Sequence, residues 1–533
     1  MSFHNMPPVN YFRQLKMFND GVPHVVRFWS VIVMAIFYQF AAGVYLASLT
    51  QMVGELSCLS EDVTMGGYCT LIGLNLIFPI MFKWKFTLYT RQLFFISSIA
   101  IILCSIASMF VTTPWVFWII CLVAGYFKMM GMFGSMSTIQ LNITPTRNFA
   151  VFFPVIYVLV CGSIQLSGLV TAYVSYFYNW RIMNLVIMFM MLILDFWVYF
   201  YMKHDHRAGP PDTLKGIDWI GHFLWIIVSV IGTWIFTFGE HYDWWESKEI
   251  WYATGLFLFF LAITILHSKR LEHPFISLHA FGYSATYRLA IVVFGITVLS
   301  GGAHVLQPTY LSAILHYDAL NIISLNYPEL VGVIMGAILA YFVLVRWNWS
   351  VKAYLFLAFG MMTYYLLSMY YMCDTETDKE TMYLAFFALG VSEVMMESIA
   401  TYYLSQSIPW PHFFMNISII GFIRCGVGSA AGAAIVHRFF NWSMTKSFMI
   451  ASESITDYAG IEENSQILET QSLLMALKES FGFLVMLGLL LMVAILLSNY
   501  RTTFKRFVPR MVAIRKWMSK PGSDDPTIPV PAK

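Results

Sequence analysis

The chain is 533 residues long, 59% apolar and 17% aromatic, with 11% charged residues and a formal net charge of +2. Soluble domains carry charge on roughly a quarter of their residues, so this composition excludes an ordinary soluble protein and fits a polytopic membrane protein. The near-neutral balance points to no nucleic-acid or acidic partner.

A polar stretch of about two dozen residues precedes the first long apolar run, so no cleavable signal peptide is expected and the first span serves as its own insertion signal. Apolar segments of about 20 residues then recur near 28–50, 65–82, 92–112, 115–136, 150–174, 182–202, 218–238, 250–268, 289–312, 328–346, 351–372, 381–405, 413–436 and 480–499. These are fourteen predicted transmembrane helices in an all-α membrane protein. With the N-terminus inside, 23 of the 31 Lys and Arg residues fall in cytoplasmic segments and 6 in outer ones, while Lys128 and Arg424 lie inside spans. That asymmetry follows the excess of Lys and Arg in cytoplasmic loops and places both termini in the cytoplasm. One missed span would invert the side of every later loop, so the asymmetry tests the number of spans as well as their orientation.

Between the spans, residues 203–216 (KHDHRAGPPDTLKG) read as a charged cytoplasmic linker. Residues 441–479 read as the longest outer loop, with Ile467, Leu468, Leu473, Leu474 and Leu477 marking a short amphipathic helix before the last span. From Tyr500 to Lys520, basic residues alternate with Phe504, Phe507, Val508, Met511 and Trp517, as in a helix lying on the inner leaflet. The seven cysteines are scattered singly without metal-type spacing and read mostly as small core residues. Cys58 and Cys373 both fall in outer loops, which leaves a disulfide between them open.

Five formal charges lie inside the predicted spans away from their ends: Lys128, Asp195, Glu393, Glu397 and Arg424. A charge at the centre of a membrane helix costs about 2.5 to 3.5 kcal/mol on insertion scales, so it is kept where it faces protein, water or a partner charge. Glu393 and Glu397 are four residues apart and share a helix face with Gly390, Thr401 and Ser405. Two carboxylates so placed in a low dielectric cannot both ionise cheaply, so the pair is expected to take up a proton near neutral pH. Counting residues from the span ends puts Lys128, Glu393 and Arg424 near mid-membrane, with Asp195 and Glu397 nearer the cytoplasm. Two readings of Arg424 stay open: a structural partner of one glutamate, or a charge bordering a substrate path. Asp195 divides in the same way between a proton site and a structural contact. His304 and Gln307, in a ninth span expected to be broken by its glycines and proline, read as polar wall residues, although His304, like His222, also fits a satisfied core histidine. Gly426, Gly428 and Gly432 fit close helix packing.

Several stretches resemble the major facilitator superfamily, in particular its fourteen-span drug:proton antiporter branch of the EmrB/QacA type. They are Asn179-Trp180-Arg181 opening the sixth span, DWIGHFLWIIVSVIGTWIFTFGEHYDWW with the later KRLEHPFISLHAF, and NISIIGFIRCGVGSAAGAAIVHRFF in the thirteenth span. The resemblance implies a six-helix bundle over 1–202, a linker with two extra helices over 203–270, a second six-helix bundle over 271–500 and a basic cytoplasmic tail over 501–533. It also implies proton-coupled export of organic or drug-like compounds across the inner membrane by alternating access, with no cofactor. In a double-membrane bacterium it implies a periplasmic adaptor and an outer-membrane channel as partners, with the 441–479 loop as the contact. Lys128 and the acid pair would then face each other across the cavity. The chain departs from the family in several places. The stretch PIMFKWKFTLYTRQL keeps basic residues but lacks the usual aspartate and glycines, Gln39 stands where the first span carries an acid, and Gln165, Ser167 and Gly168 replace the fifth-span Gly-Pro pair. Coupling therefore falls to Glu393, Glu397 and Asp195, with Lys128, Arg424, Gln39, Gln165, His304 and Gln307 as binding or charge-partner candidates.

Two other classes compete. A membrane-embedded enzyme would need His204, Asp205, His206 and Asp212 to form a site, but no further ligand-type residues lie close in sequence. A non-transporting scaffold has no evident need for mid-membrane charge. No Gly-x-x-x-x-Gly-Lys loop is present, so the sequence carries no sign of ATP-driven transport.

Overall fold

The computed structural model describes residues 16–41, 48–144, 148–207, 214–347, 349–453 and 465–498. The first half comprises α1 (His24–Phe40), α2 (Leu49–Leu56), α3 (Ser60–Leu76), α4 (Met81–Thr87), α5 (Thr90–Met109), α6 (Pro114–Ile143), α7 (Phe149–Phe177) and α8 (Trp180–Tyr201). A helix pair follows, α9 (Trp219–Phe238) and α10 (Lys248–Arg270). The second half comprises α11 (Ser284–Ile314), α12 (Ala319–Arg346), α13 (Val351–Met372), α14 (Tyr383–Ser407), α15 (Trp410–Cys425), α16 (Val427–Glu453) and α17 (Ser465–Leu497).

Among the described residues, twelve segments are long and apolar enough to cross a membrane, and the bent α3–α4 pair makes a thirteenth. With the shorter apolar helix α1, the set accommodates the fourteen expected spans. Helix starts follow ordinary capping chemistry, in which a side-chain oxygen takes up an orphan backbone N–H. Asn148 accepts from Ala150, Asn179 from Arg181, Asp318 from Asn321 and Ser350 from Ala353. Pro114 opens α6, where a missing N–H costs nothing.

Two details differ from the sequence expectation. The ninth span is continuous, because the chain widens into π turns at Gly302–Leu306 and Tyr310–Ile314 on either side of Pro308. A π turn relieves the clash of a proline ring with the preceding turn without ending the helix. The second difference lies in 441–479, where α16 extends to Glu453 and α17 starts at Ser465, so most of the expected loop is helical extension of the last two spans. The surface helix expected over 500–520 lies outside the described residues.

Buried side chains gather into two cores. One draws on α1 to α8 and is joined by Phe275, Ile276 and Ala280; the other draws on α11 to α17. Helix α7 belongs to both sides, since Phe149, Phe152, Phe153 and Tyr157 at its start pack into the second core. The seam between the halves has two arms. On one arm α3 meets α15, where Asn75 donates to the Ser418 carbonyl at 3.0 Å and the Ser418 hydroxyl donates back to the Asn75 carbonyl at 2.9 Å. A Cβ on Gly421 would stand 1.9 Å from the Asn75 side chain, so this crossing needs glycine. On the other arm α7 meets α12 and α14.

The α9–α10 pair covers the first arm from outside. Helix α9 packs between α3 and α16, Trp225 stacks on Phe422 at 5.4 Å, and most of α10 is exposed. Acidic residues fasten both ends of α9. Asp218 accepts from Gly221 N–H, Phe275 N–H and the His267 ring, and Glu240 accepts from Trp244, Asn441 and Arg438.

Candidate functional site in the α7 arm of the seam

Four charged residues of the interior, Glu329, Glu393, Glu397 and Arg424, converge on the second arm, and the packing explains why. Helices α12 and α14 are pressed together by glycine: a Cβ on Gly332 would lie 2.2 Å from the Phe387 carbonyl oxygen, and one on Gly390 would lie 2.1 Å from that of Glu329. Small residues at a membrane helix interface permit this close approach. Glu329 and Glu393 each stand ten residues after the first residue of their helices, Ala319 and Tyr383, about 15 Å along the axis. The two carboxylates thus come to one depth and act on each other electrostatically, and Glu393 in turn acts on Glu397.

Arg424 at the end of α15 forms an ion pair with Glu397 and also donates to the Tyr157 hydroxyl of α7 at 3.3 Å. Tyr157 shares a second bond of 2.6 Å with Thr401 of α14. Two turns further along α7, the Gln165 amide donates to Glu329 and its oxygen accepts from Asn326 at 2.7 Å. Cys161 stands between them, within electrostatic reach of Glu329, Glu393, Glu397 and Arg424. From α13, the buried Tyr365 lies within reach of Glu329 and Glu393 and donates to Gln307 of α11 at 2.6 Å. His304, three residues earlier on α11, is exposed.

The structure therefore brings together Glu393, Glu397, Arg424, Gln165 and Gln307, and resolves the partner of Arg424 as Glu397. It leaves three candidates elsewhere. Asp195 on α8 accepts from Ser98 of α5. Gln39 on α1 is 3% exposed, and its side-chain oxygen has no hydrogen-bond partner among the described residues. Lys128 on α6 is 1% exposed, and its ammonium likewise has no such partner. The expected approach of Lys128 to the acid pair does not occur. Its electrostatic neighbour is Cys425, whose sulfur accepts from Arg424 Nε at 3.3 Å.

Glu329 escaped the sequence reading. Asn321, Ser324, Asn326 and Pro328 lower the hydropathy of the first part of α12, so the apolar run opens only near residue 328, next to Glu329. The helix in fact starts at Ala319, capped by Asp318, and that cap was the available signal.

Other expectations take definite positions. All seven cysteines are free, including Cys58 and Cys373, so that disulfide does not form. His222 is buried against Phe275, with ring centroids 4.7 Å apart. Gly432 does pack closely, against the Thr297 backbone of α11. His206 Nδ1 is engaged by the Thr90 hydroxyl at 3.0 Å; burial first, then Lys203, Lys85 and Lys16, hold its imidazole below the usual histidine range. Asp212 lies outside the described residues.

An aromatic cluster closes the seam at the end that carries Lys83, Lys85 and Arg91. Phe82 of α4, Phe133 of α6 and Phe414 of α15 meet edge to face, with centroids 4.7 Å apart for Phe82 and Phe414 and 5.3 Å for Phe82 and Phe133. Phe413 continues the cluster to Phe149 of α7.

Neither a family model nor a curated protein sequence matches the chain. Solved structures do match over nearly the whole length. A structure from a study of substrate recognition in proton-dependent oligopeptide transporters aligns with a TM-score of 0.57 and 12% identity, covering 91% of this chain and 99% of that one. A peptide transporter of the POT family aligns at 0.56 and 12%, covering 91% and 94%. The nucleoside transporter NupG aligns at 0.51 and 9%, covering 88% and 98%. At this identity the likeness defines the fold alone: the chain shares its helical architecture with those structures.

Proposed function

We propose that the chain is a secondary active transporter, in which the two halves rock about the seam and proton movement through Glu393 drives a small organic solute across the membrane. The observation that carries this reading is the imbalance of charge in the α7 arm. Three carboxylates, Glu329, Glu393 and Glu397, meet Arg424 as the one cation in ion-pair contact with any of them among the described residues. Arg424 is committed to Glu397, which leaves Glu393 to exchange a proton for a cation. Sites at the midplane, between the moving halves of a transporter, are where solute and coupling ion compete.

The cargo that suits such a site is an amphipathic organic compound with a cationic group, and the direction we assign is export, with both termini in the cytoplasm. A second reading is uptake of a peptide or nucleoside, favoured by the transporters whose folds this chain shares. The adaptor and outer-membrane channel implied by the sequence resemblance would meet the helical extension at the end of α16 and the start of α17. Adaptor-free membranes that release cargo at the full rate would count against that assembly.

The test is solute movement in proteoliposomes under an imposed pH gradient, with ethidium, a dipeptide and uridine as probes. Gradient-driven ethidium movement supports export of organic cations, and gradient-driven movement of the dipeptide or uridine alone favours the second reading. A chain that moves none of the three, and whose thermal unfolding none of them shifts, contradicts both.

A further inference from the structure

Among the described residues the α7 arm joins the halves through hydrogen bonds at Tyr157 and at Gln165, and the two sets differ in kind. Tyr157 meets Thr401 and Arg424 through a phenol and a guanidinium, whose charge states are stable through physiological pH. Gln165 instead donates to Glu329, a carboxyl group that is 6% exposed. An amide bonded to a carboxylate is roughly twice as strong as the same amide bonded to a neutral acid. The Gln165 bond therefore changes strength when Glu329 gains or loses a proton, and the Tyr157 bonds do not.

Glu329 is also held where its protonation must respond to its neighbour. Glu393 faces it from α14, and the two helices cannot separate to relieve repulsion without breaking the glycine packing of Gly332, Gly336 and Gly390. The other titratable groups around Glu329 are Tyr365 from α13 and Cys161 from α7, with Glu397 and Arg424 one contact further away. None of these offers Glu329 a cation in ion-pair contact among the described residues.

We propose that Gln165 is a positioning residue for coupling: its bond to Glu329 latches α7 to α12 when the Glu329–Glu393 pair is short of protons, and releases when the pair is filled. Asn326 orients the latch by donating to the Gln165 oxygen, which turns the amide N–H toward Glu329. This inference rests on the reading of the chain as a proton-coupled transporter, and it names the contact that carries proton occupancy from the second half to the first.

Cys161 is a native reporter of the latch, because it lies on α7 between Tyr157 and Gln165 and its residue is half-buried by surface area. The experiment measures alkylation of Cys161 by N-ethylmaleimide in the full chain, read by mass spectrometry of its peptide, in mildly acidic and mildly alkaline buffer. Comparing variant with wild type at each pH cancels the ordinary rise of thiol reactivity with pH. The expected result for Gln165→Leu is a rate about five- to tenfold above wild type in alkaline buffer and equal to it in acid. The exchanged pair Gln165→Glu with Glu329→Gln restores donor and acceptor and is expected to return the slow alkaline rate. A variant-to-wild-type ratio that is the same at both pH values overturns the latch, whether it is near one or raised, and so does an exchanged pair that stays fast. A wild-type chain that moves no probe yet keeps this pattern removes the transport reading and retains the latch. Gradient-driven transport without the pattern removes the latch alone.

Discussion

A methyl group on Gly390 would lie 2.1 Å from the carbonyl oxygen of Glu329, so the helices that carry Glu393 and Glu329 touch backbone to backbone at the level of their acids. Substituting Gly390→Ala forces α12 and α14 apart in a packed interior. The expected cost is about 1 to 3 kcal/mol of stability, typical of overpacking, seen as a lowered thermal midpoint in detergent. An unchanged midpoint would show that the contact is looser than the backbone positions indicate.

Arg424 and Glu397 form the ion pair of the site, with side chains 31% and 23% exposed. Removing one partner strands the other, a loss of about 3 to 5 kcal/mol for a fully buried pair. Partial exposure discounts that to about 1 to 3 kcal/mol here. Arg424→Gln is therefore expected to lower the thermal midpoint, and Arg424→Gln combined with Glu397→Gln to recover most of the loss. A double variant that is as unstable as the sum of the two single variants would deny the pairing.

Much of this architecture was legible in the sequence. Continuous apolar runs mark the spans. The shared helix face of Glu393 and Glu397 followed from their spacing of four residues. The rest depended on how one helix is rotated and slid against another, which no single sequence records. The choice of Arg424 between Glu393 and Glu397 is a question of register between α14 and α15. Lys128 has Cys425 as its electrostatic neighbour and no ion-pair partner among the described residues, a matter of how α6 is turned against α15. Glu329 stayed hidden because the polar turn Asn321 to Asn326 dilutes the apolar signal of its helix.

Asp218 supplies a pH dependence outside the membrane-spanning segments. Burial alone would raise its carboxyl, but the His267 ring, the Gly221 and Phe275 N–H groups and the charge of His267 together hold it below the usual range. The folded value is depressed, so its stabilising contribution is present above the unfolded value of about 4 and is lost as pH falls through the folded value. Asp218→Asn is expected to raise hydrogen exchange over residues 271–283 at neutral pH and to remove the acid-induced rise seen in wild type. Equal exchange in both chains at neutral pH would show that the α9–α10 pair is held by apolar packing alone.

Phe414 closes the seam at the end that carries Lys83, Lys85 and Arg91, through edge-to-face contacts with Phe82 and Phe133. Each such contact is worth about 0.5 to 1.5 kcal/mol, so Phe414→Ala is expected to shift the halves toward opening at that end by about tenfold or more. Hydrogen exchange at the start of α15 reports the shift, and unchanged protection there would assign the closure to the Asn75–Ser418 crossing instead.

The most direct test of the account is pH-gradient-driven accumulation of a transported probe by proteoliposomes containing wild type, Glu393→Gln, Glu397→Gln or Asp195→Asn. The expected result is that Glu393→Gln loses accumulation yet still exchanges probe across the membrane without a gradient, because the path remains and the proton carrier is gone. Asp195→Asn, whose residue lies on the α5–α8 interface against Ser98, is expected to keep accumulation. Full gradient-driven accumulation by Glu393→Gln would contradict the assignment of proton coupling to the acid cluster of the α7 arm.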